Sequence, residues 1–191
     1  MVFDFSTFPT LTTRRLTLRE LQPEDAPDVF VFRSDPEVQK YNDVPMQAVS
    51  EAETFISELI HGYNNRQLII WAITFPAEDV VIGLCGFNYW NLYHSRAEIG
   101  YDLALAWWGQ GIGTEAVGEM VRFGFEEMYL NRIEAGTIAD NHGSVRLLEK
   151  LGFQREGTRR KYSWEEDGTY HDSAIYGLLR EEWVANHPAD G

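Results

Sequence analysis

Three patterns in the chain predict an α+β fold built on a mixed, mostly antiparallel sheet flanked by helices. The first is a series of strand-like segments at residues 68–75, 80–90 and 97–105, whose short connections imply an antiparallel meander. The second is the order strand, helix, strand over residues 97–139, a length that implies a right-handed crossover and one parallel pair. The third is a closing pair of strands at residues 153–163 and 169–179, joined by an acidic turn at 165–168. With 191 residues the chain suits one domain with a real core and is short for two, so a single domain over 1–191 is expected, its core at about 12–182.

Each element follows from its residues. Residues 15–21 alternate apolar and polar side chains (Leu16, Leu18, Arg19, Leu21), the mark of a half-buried strand. Residues 24–33 follow Pro23, which suits a first helical turn, and place Ala26, Val29, Phe30 and Phe32 inward. Ser50 and Glu53 read as a capping box for a second helix whose stripe is Phe55, Ile56, Leu59 and Ile60. Residues 34–49 between these helices are irregular and rich in Asp, Pro, Asn and Gln, a place for a substrate-facing loop. Residues 114–129 are helical, with Val117, Val121, Phe125 and Met128 on one stripe, and Gly124 within them implies a close helix–sheet contact. A strand at 132–139 follows, then a short helix at 144–151, capped by Asn141 or Asp140 and stopped at Gly152. Residues 180–191 read as a charged tail.

The formal net charge is −14 and the pI is near 4.7, with 7 basic and 14 acidic side chains in residues 1–100 and 9 and 16 in the rest. So even an acidity disfavours nonspecific nucleic-acid binding and attracts cationic substrates, amines or basic proteins. The one cysteine, Cys85, lies in the apolar run VVIGLCGF and reads as a buried hydrophobe rather than a nucleophile. The N-terminal MVFDFSTFPT carries Asp4, lacks a basic flank and does not read as a signal peptide, and no run approaches a membrane span. A soluble cytoplasmic protein is expected. The five histidines show no ligand spacing, so no metal is expected.

Residues 103–115, LALAWWGQGIGTE, hold the strongest chemical signal. They pass from a strand through Gly109, Gly111 and Gly113 into a helix. Glycine admits positive φ and a close backbone approach, and a helix N-terminus presents free N–H groups to an anion. A Walker-type loop fails, because Gly113 and Thr114 are followed by Glu115. A dinucleotide fingerprint fails too, because Thr114 stands where the last glycine belongs and the preceding strands form a meander.

The segment from Glu98 to Gly157 resembles the GNAT family of acetyl-coenzyme A-dependent N-acetyltransferases, most closely its RimJ/RimL branch of ribosomal-protein N-terminal alanine acetyltransferases. The resemblance covers about a third of the chain strongly, and the residues that carry it are AEIGY (97–101), WWGQGIGTEA (107–116) and LNRIEAGTIADNHGSVRLLEKLGFQREG (130–157). The resemblance implies a sheet that splays at its parallel pair, with acetyl-coenzyme A in the gap. It implies that the pantetheine pairs with backbone around Leu103, Ala104 and Leu105. The pyrophosphate would take the N–H groups of the turn formed by Trp108, Gly109, Gln110, Gly111, Ile112, Gly113 and Thr114. Asn141 would hydrogen-bond the pantetheine, and its competing role is a helix cap.

Two departures stand out. Trp108 occupies a place where relatives commonly carry Arg or Gln, which removes a charged phosphate contact. Leu148 occupies the place of a tyrosine that many relatives use as general acid for the leaving thiolate. Ser144, one helical turn earlier, is the local replacement, as donor or merely as a serine bonding backbone. The resemblance also implies Glu98 as base for the acceptor amine, often through water, where a structural glutamate would pair with Arg96 or Arg132. His171 and Tyr170 are weaker candidates. The expected activity is transfer of acetyl to a primary amine, on a basic protein N-terminus or a small molecule; the alternative is a coenzyme A-binding regulator without chemistry. A homodimer is a further expectation, since exposed tryptophans near the site could mark an interface.

Overall fold

The expected meander forms the middle of one eight-stranded sheet, as β3 (Ile69–Phe75), β4 (Glu78–Asn91) and β5 (Arg96–Leu103), each antiparallel to the next. The computed structural model describes Asp4, residues 6–165 and residues 168–187. Two short strands, β1 (Leu11–Thr12) and β2 (Thr17–Arg19), extend the sheet on the β3 side. On the other side stand β6 (Arg132–Ile138), β8 (Tyr170–Leu179) and β7 (Gln154–Trp164), giving the order β1-β2-β3-β4-β5-β6-β8-β7. The closing pair is thus the expected hairpin; Glu166 and Asp167 of its turn lie outside the described residues, as do residues 1–3 and 188–191.

Strand β3 shows why the run reads as continuously apolar. Ile69, Trp71 and Ile73 face one core and Ile70 and Ala72 the other, so both sides of the strand are buried. The first core takes α4 (Ile112–Glu126), α5 (His142–Lys150) and α6 (Arg180–Asn186), through Val117, Phe125, Leu148 and Trp183 among others. The second takes α1 (Ala26–Arg33) and α3 (Val49–Asn64), through Val29, Phe32 and Ile56. At Gly124 a Cβ would stand 2.7 Å from Cζ of Phe87, so the helix–sheet approach expected there is real.

Strands β5 and β6 form the parallel pair, but only at Arg96–Arg132, Ala97–Ile133 and Glu98–Glu134. Beyond these β5 runs on to Leu103 and β6 to Ile138 unpaired with each other, so the sheet opens as a wedge.

Several expectations are corrected. The third meander strand ends at Leu103, and Leu105–Trp107 forms a 3-10 turn. Helix α3 starts at Val49 on Ala48, and Glu51 rather than Glu53 reaches back, to the Gln47 N–H at 2.9 Å, so the Ser50–Glu53 box does not form. The loop at 34–49 contains a one-turn helix, α2 (Pro36–Gln39), capped by Asp35. Residues 180–186 are no solvated tail: Trp183 is buried with its ring 5.5 Å from Phe125, and that apolar anchor holds α6 on the core.

Candidate active site

A cavity of about 470 Å³ opens in the wedge between β5 and β6. One wall is the glycine turn. Gly109 (φ +71°) and Gly111 (φ +75°) both adopt the left-handed conformation that glycine tolerates best. Gly111 is the N-cap of α4, so the following N–H groups of Ile112, Gly113 and Thr114 have no partner within the helix and border the cavity. Gly113 packs tightly, since a Cβ there would lie 3.2 Å from Leu147 of α5. The turn is held from outside by Arg15, whose Nη1 donates to the Gln110 carbonyl at 3.0 Å while its Nε binds Glu115 at 2.6 Å. Burial works against the Glu115 charge, yet bonds from Thr13 and Arg15 hold its carboxyl below the usual range.

Of the residues expected at the donor site, Leu103, Trp108, Gly109, Gly111, Ile112, Gly113, Thr114, Asn141 and Ser144 line the cavity. Ala104, Leu105 and Gln110 do not. The Ala104 N–H already bonds Ile82 across the sheet at 2.9 Å, and Gln110 Nε2 turns back onto the Ala106 carbonyl at 2.8 Å. Because N–H directions alternate along a strand, the Leu103 N–H faces the wedge instead. Trp108 serves the wall's shape: its indole N–H bonds the Leu103 carbonyl at 2.6 Å. Two cations that sequence reading passed over, Arg146 and Lys150 on α5, also border the cavity. Their spacing of four is visible in the sequence, but solvated helix faces carry the same pattern.

Asn141 caps α5 by accepting the Ser144 N–H at 3.1 Å, and both residues line the cavity. The Ser144 hydroxyl meets the hydroxyl of Tyr101, on β5, at 2.7 Å. Burial pushes the Tyr101 phenol up to about 12 in spite of that bond, so it stays protonated. Leu148 is wholly buried in the core.

The opposite wall comes from the α2 region, with Glu37, Val38, Tyr41 and Asn42 facing Gly100, Tyr101 and Asp102. Asp102 is buried; its carboxylate bonds the Arg33 guanidinium and accepts from Asn42 Nδ2 at 2.5 Å. Desolvation still raises its pKa, against the pull of Arg33. These contacts pin α1 and α2 to the strand that borders the wedge.

Glu98 is exposed and does not line the cavity itself. Its Oε1 would lie 3.9 Å from a Cβ at Gly136, which does. Ala97 and Ile99 are buried on the other face of β5, so they do not enclose its carboxylate. Arg96 and Arg132 pair with Glu134, leaving Glu98 out of both ion pairs. His171 stands 3.5 Å from Asp140, and neither it nor Tyr170 lines the cavity. Cys85 is buried and its thiol pKa is raised by desolvation, the inert state expected of it. Among the described residues no helix is long and apolar enough to cross a membrane.

Comparison with known proteins gives this geometry a context. The model of the acetyltransferase (GNAT) domain matches residues 15–154. An uncharacterized N-acetyltransferase of Bacillus licheniformis, p20, is 42% identical over 180 residues, covering 92% of this chain and 98% of that protein. The [ribosomal protein uS5]-alanine N-acetyltransferase of Escherichia coli strain K12 is 29% identical over 111 residues, 57% of this chain and 56% of the relative. Among solved structures, RimL, a ribosomal L7/L12 alpha-N-protein acetyltransferase in complex with coenzyme A, superposes with a TM-score of 0.82 at 20% identity, over 90% of this chain and 98% of that one. At that identity the likeness is one of fold.

Proposed function

Because the chain belongs to the GNAT acetyltransferase family and is an acetyl-coenzyme A-dependent N-acetyltransferase, we propose that it acetylates the N-terminal amine of a protein, with one sheet acting as a single catalytic unit. The observation that carries the reading is the wedge: β5 and β6 pair three times and then part over a cavity bordered by the N-terminus of α4.

In this reading the N–H groups of Gly111–Thr114, with Arg146 and Lys150 nearby, hold the pyrophosphate. The pantetheine lies along β5 in the place of a missing strand, and the Leu103 N–H faces it. The reaction needs a neutral amine, because an ammonium has no lone pair. Glu98 takes the ammonium proton through a water molecule, and the nitrogen's second proton leaves by the same route once the C–N bond has formed. The amine nitrogen then bonds the thioester carbon, and backbone N–H groups of β5 stabilise the oxyanion. The C–S bond breaks with its electron pair on sulfur, which Ser144 protonates. Asn141 holds Ser144 at the first turn of α5.

A protein N-terminus as acceptor is supported by the Escherichia coli relative's activity on a ribosomal protein and by a net charge of −14, which favours basic partners. The α2 wall supplies carboxylate, phenol and amide groups at which an ammonium and peptide backbone could dock. Release of the coenzyme A thiol is measured with a panel of peptides, polyamines, amino acids and aminoglycosides. The highest kcat/KM is expected for a peptide with a free N-terminus and basic residues after it. A polyamine or aminoglycoside turned over faster than every peptide would overturn the acceptor assignment.

A further inference from the structure

Two hydroxyls from distant parts of the chain meet inside the cavity, Tyr101 Oη on β5 and Ser144 Oγ at the start of α5, 2.7 Å apart. We propose that Tyr101 is a positioning residue for acetyl transfer: its phenol donates to Ser144 Oγ, turns the serine hydrogen towards the leaving sulfur and replaces that proton as it departs. The proposal rests on the reading of Ser144 as the group that protonates the thiolate.

A serine hydroxyl has one hydrogen, two lone pairs and free rotation about its C–O bond, so alone it spends much of its time aimed elsewhere. Its partner decides its direction. A phenol is the stronger acid and the weaker acceptor of the two, so the favoured arrangement has Tyr101 donating and Ser144 accepting. The serine hydrogen is then left for the cavity. Burial keeps the phenol protonated across the working pH range, and the Asn141 bond to the Ser144 N–H fixes the serine backbone. Leu148, in the place of the tyrosine common among relatives, has no proton to give and lies inside the core.

The step balances. As the tetrahedral intermediate collapses, the C–S electron pair moves to sulfur and the sulfur takes the Ser144 hydrogen. Ser144 Oγ takes the Tyr101 hydrogen, and the phenolate recovers its proton from water that enters once coenzyme A leaves. The acceptor nitrogen loses two protons separately from this relay, one before attack and one after the C–N bond forms, each by way of Glu98 and water.

Single-turnover acetyl transfer to a saturating peptide amine is measured for the native enzyme, Tyr101→Phe, Ser144→Ala and the double variant, with acetyl-coenzyme A affinity by calorimetry as the check on folding. Tyr101→Phe is expected to transfer about 10-fold more slowly with donor affinity within about 2-fold, and to add nothing to Ser144→Ala in the double variant. In mixtures of light and heavy water the native rate should fall on a curve, since two protons move, and the Tyr101→Phe rate on a line. A native rate that is linear in deuterium content overturns the relay without any variant. So does a Tyr101→Phe enzyme at native speed, one slowed equally with and without Ser144, or one slower than Ser144→Ala, which would make the tyrosine the direct donor. An undiminished rate in Ser144→Ala overturns the reading of Ser144 itself, a result distinct from all of these.

Discussion

Along the Trp108–Thr114 wall a ligand meets backbone N–H groups and glycine, whereas along the α2 wall it meets the side chains of Glu37, Tyr41, Asn42 and Asp102. The first wall is stiffened by backbone geometry, two left-handed glycines at the entry to a fifteen-residue helix. The second is stiffened by one buried ion pair, Arg33 with Asp102, and its neighbours. A backbone wall recognises charge and shape common to every donor molecule. A side-chain wall can be respecified by a few substitutions, and this is where the acceptor would be chosen.

The contrast can be broken in order of expected effect. Gly111→Val places a β-branched residue at φ +75° and forces the turn out of its left-handed shape, so acetyl-coenzyme A should bind on the order of 1,000-fold more weakly by calorimetry, about 4 kcal/mol. Affinity unchanged by that substitution would remove the turn from the donor site. Asp102→Asn leaves the buried Arg33 with only the exposed Asp43 (3.2 Å) as a carboxylate partner, at a cost of about 3 kcal/mol in urea unfolding. The acceptor KM should rise in that variant while donor affinity holds; a matching loss of donor affinity would show that the walls are one unit.

Glu98→Gln should lower kcat about 100-fold with donor affinity kept. A native rate and pH profile would leave the amine to enter already neutral. The smallest effect concerns the tie behind the turn. The Glu115 carboxyl is held below its ordinary 4.5, so the folded state binds its proton more weakly than the unfolded chain does. The stabilisation is therefore complete above that ordinary value and disappears as pH falls through the folded one. It amounts to about 1 kcal/mol. Melting temperature from pH 7 to pH 3 should fall less steeply in Glu115→Gln than in the native chain, and parallel slopes would discard the tie.

The glycine-turn wall was legible because it is local. Gly109 and Gly111, the Asn141 cap and the close approach at Gly124 each follow from a residue and its few neighbours in sequence. The α2 wall and the hydroxyl pair are non-local: Arg33 and Asp102 stand 69 residues apart, and Tyr101 and Ser144 stand 43 apart. Strand alternation puts Tyr101 on the α5 side of the sheet, yet nothing in the chain says which hydroxyl waits there. Local reasoning lost the Ser50–Glu53 box to the equally local Glu51, two residues out of register. It missed α6 because Trp183 is the single buried side chain of an otherwise exposed or half-exposed, charge-rich helix.

The three-pair seam between β5 and β6 has a kinetic side. Antiparallel partners of β4 and β5 zip outward from Asn91–Arg96, 5 residues apart, to Gly83–Leu103, 20 apart, and close cheaply, whereas the seam joins Arg96 to Arg132 and waits for the crossover helix α4 to dock. We therefore expect the meander to be native-like in the folding transition state and the seam to be loose, with φ-values near 1 at Trp71 and near 0 at Ile133. The reverse pattern would refute this order. A newly made chain would then own a finished sheet before it owns a gap, and acetyl-coenzyme A, by gripping only the finished gap, would slow the chain's unfolding rather than hasten its folding.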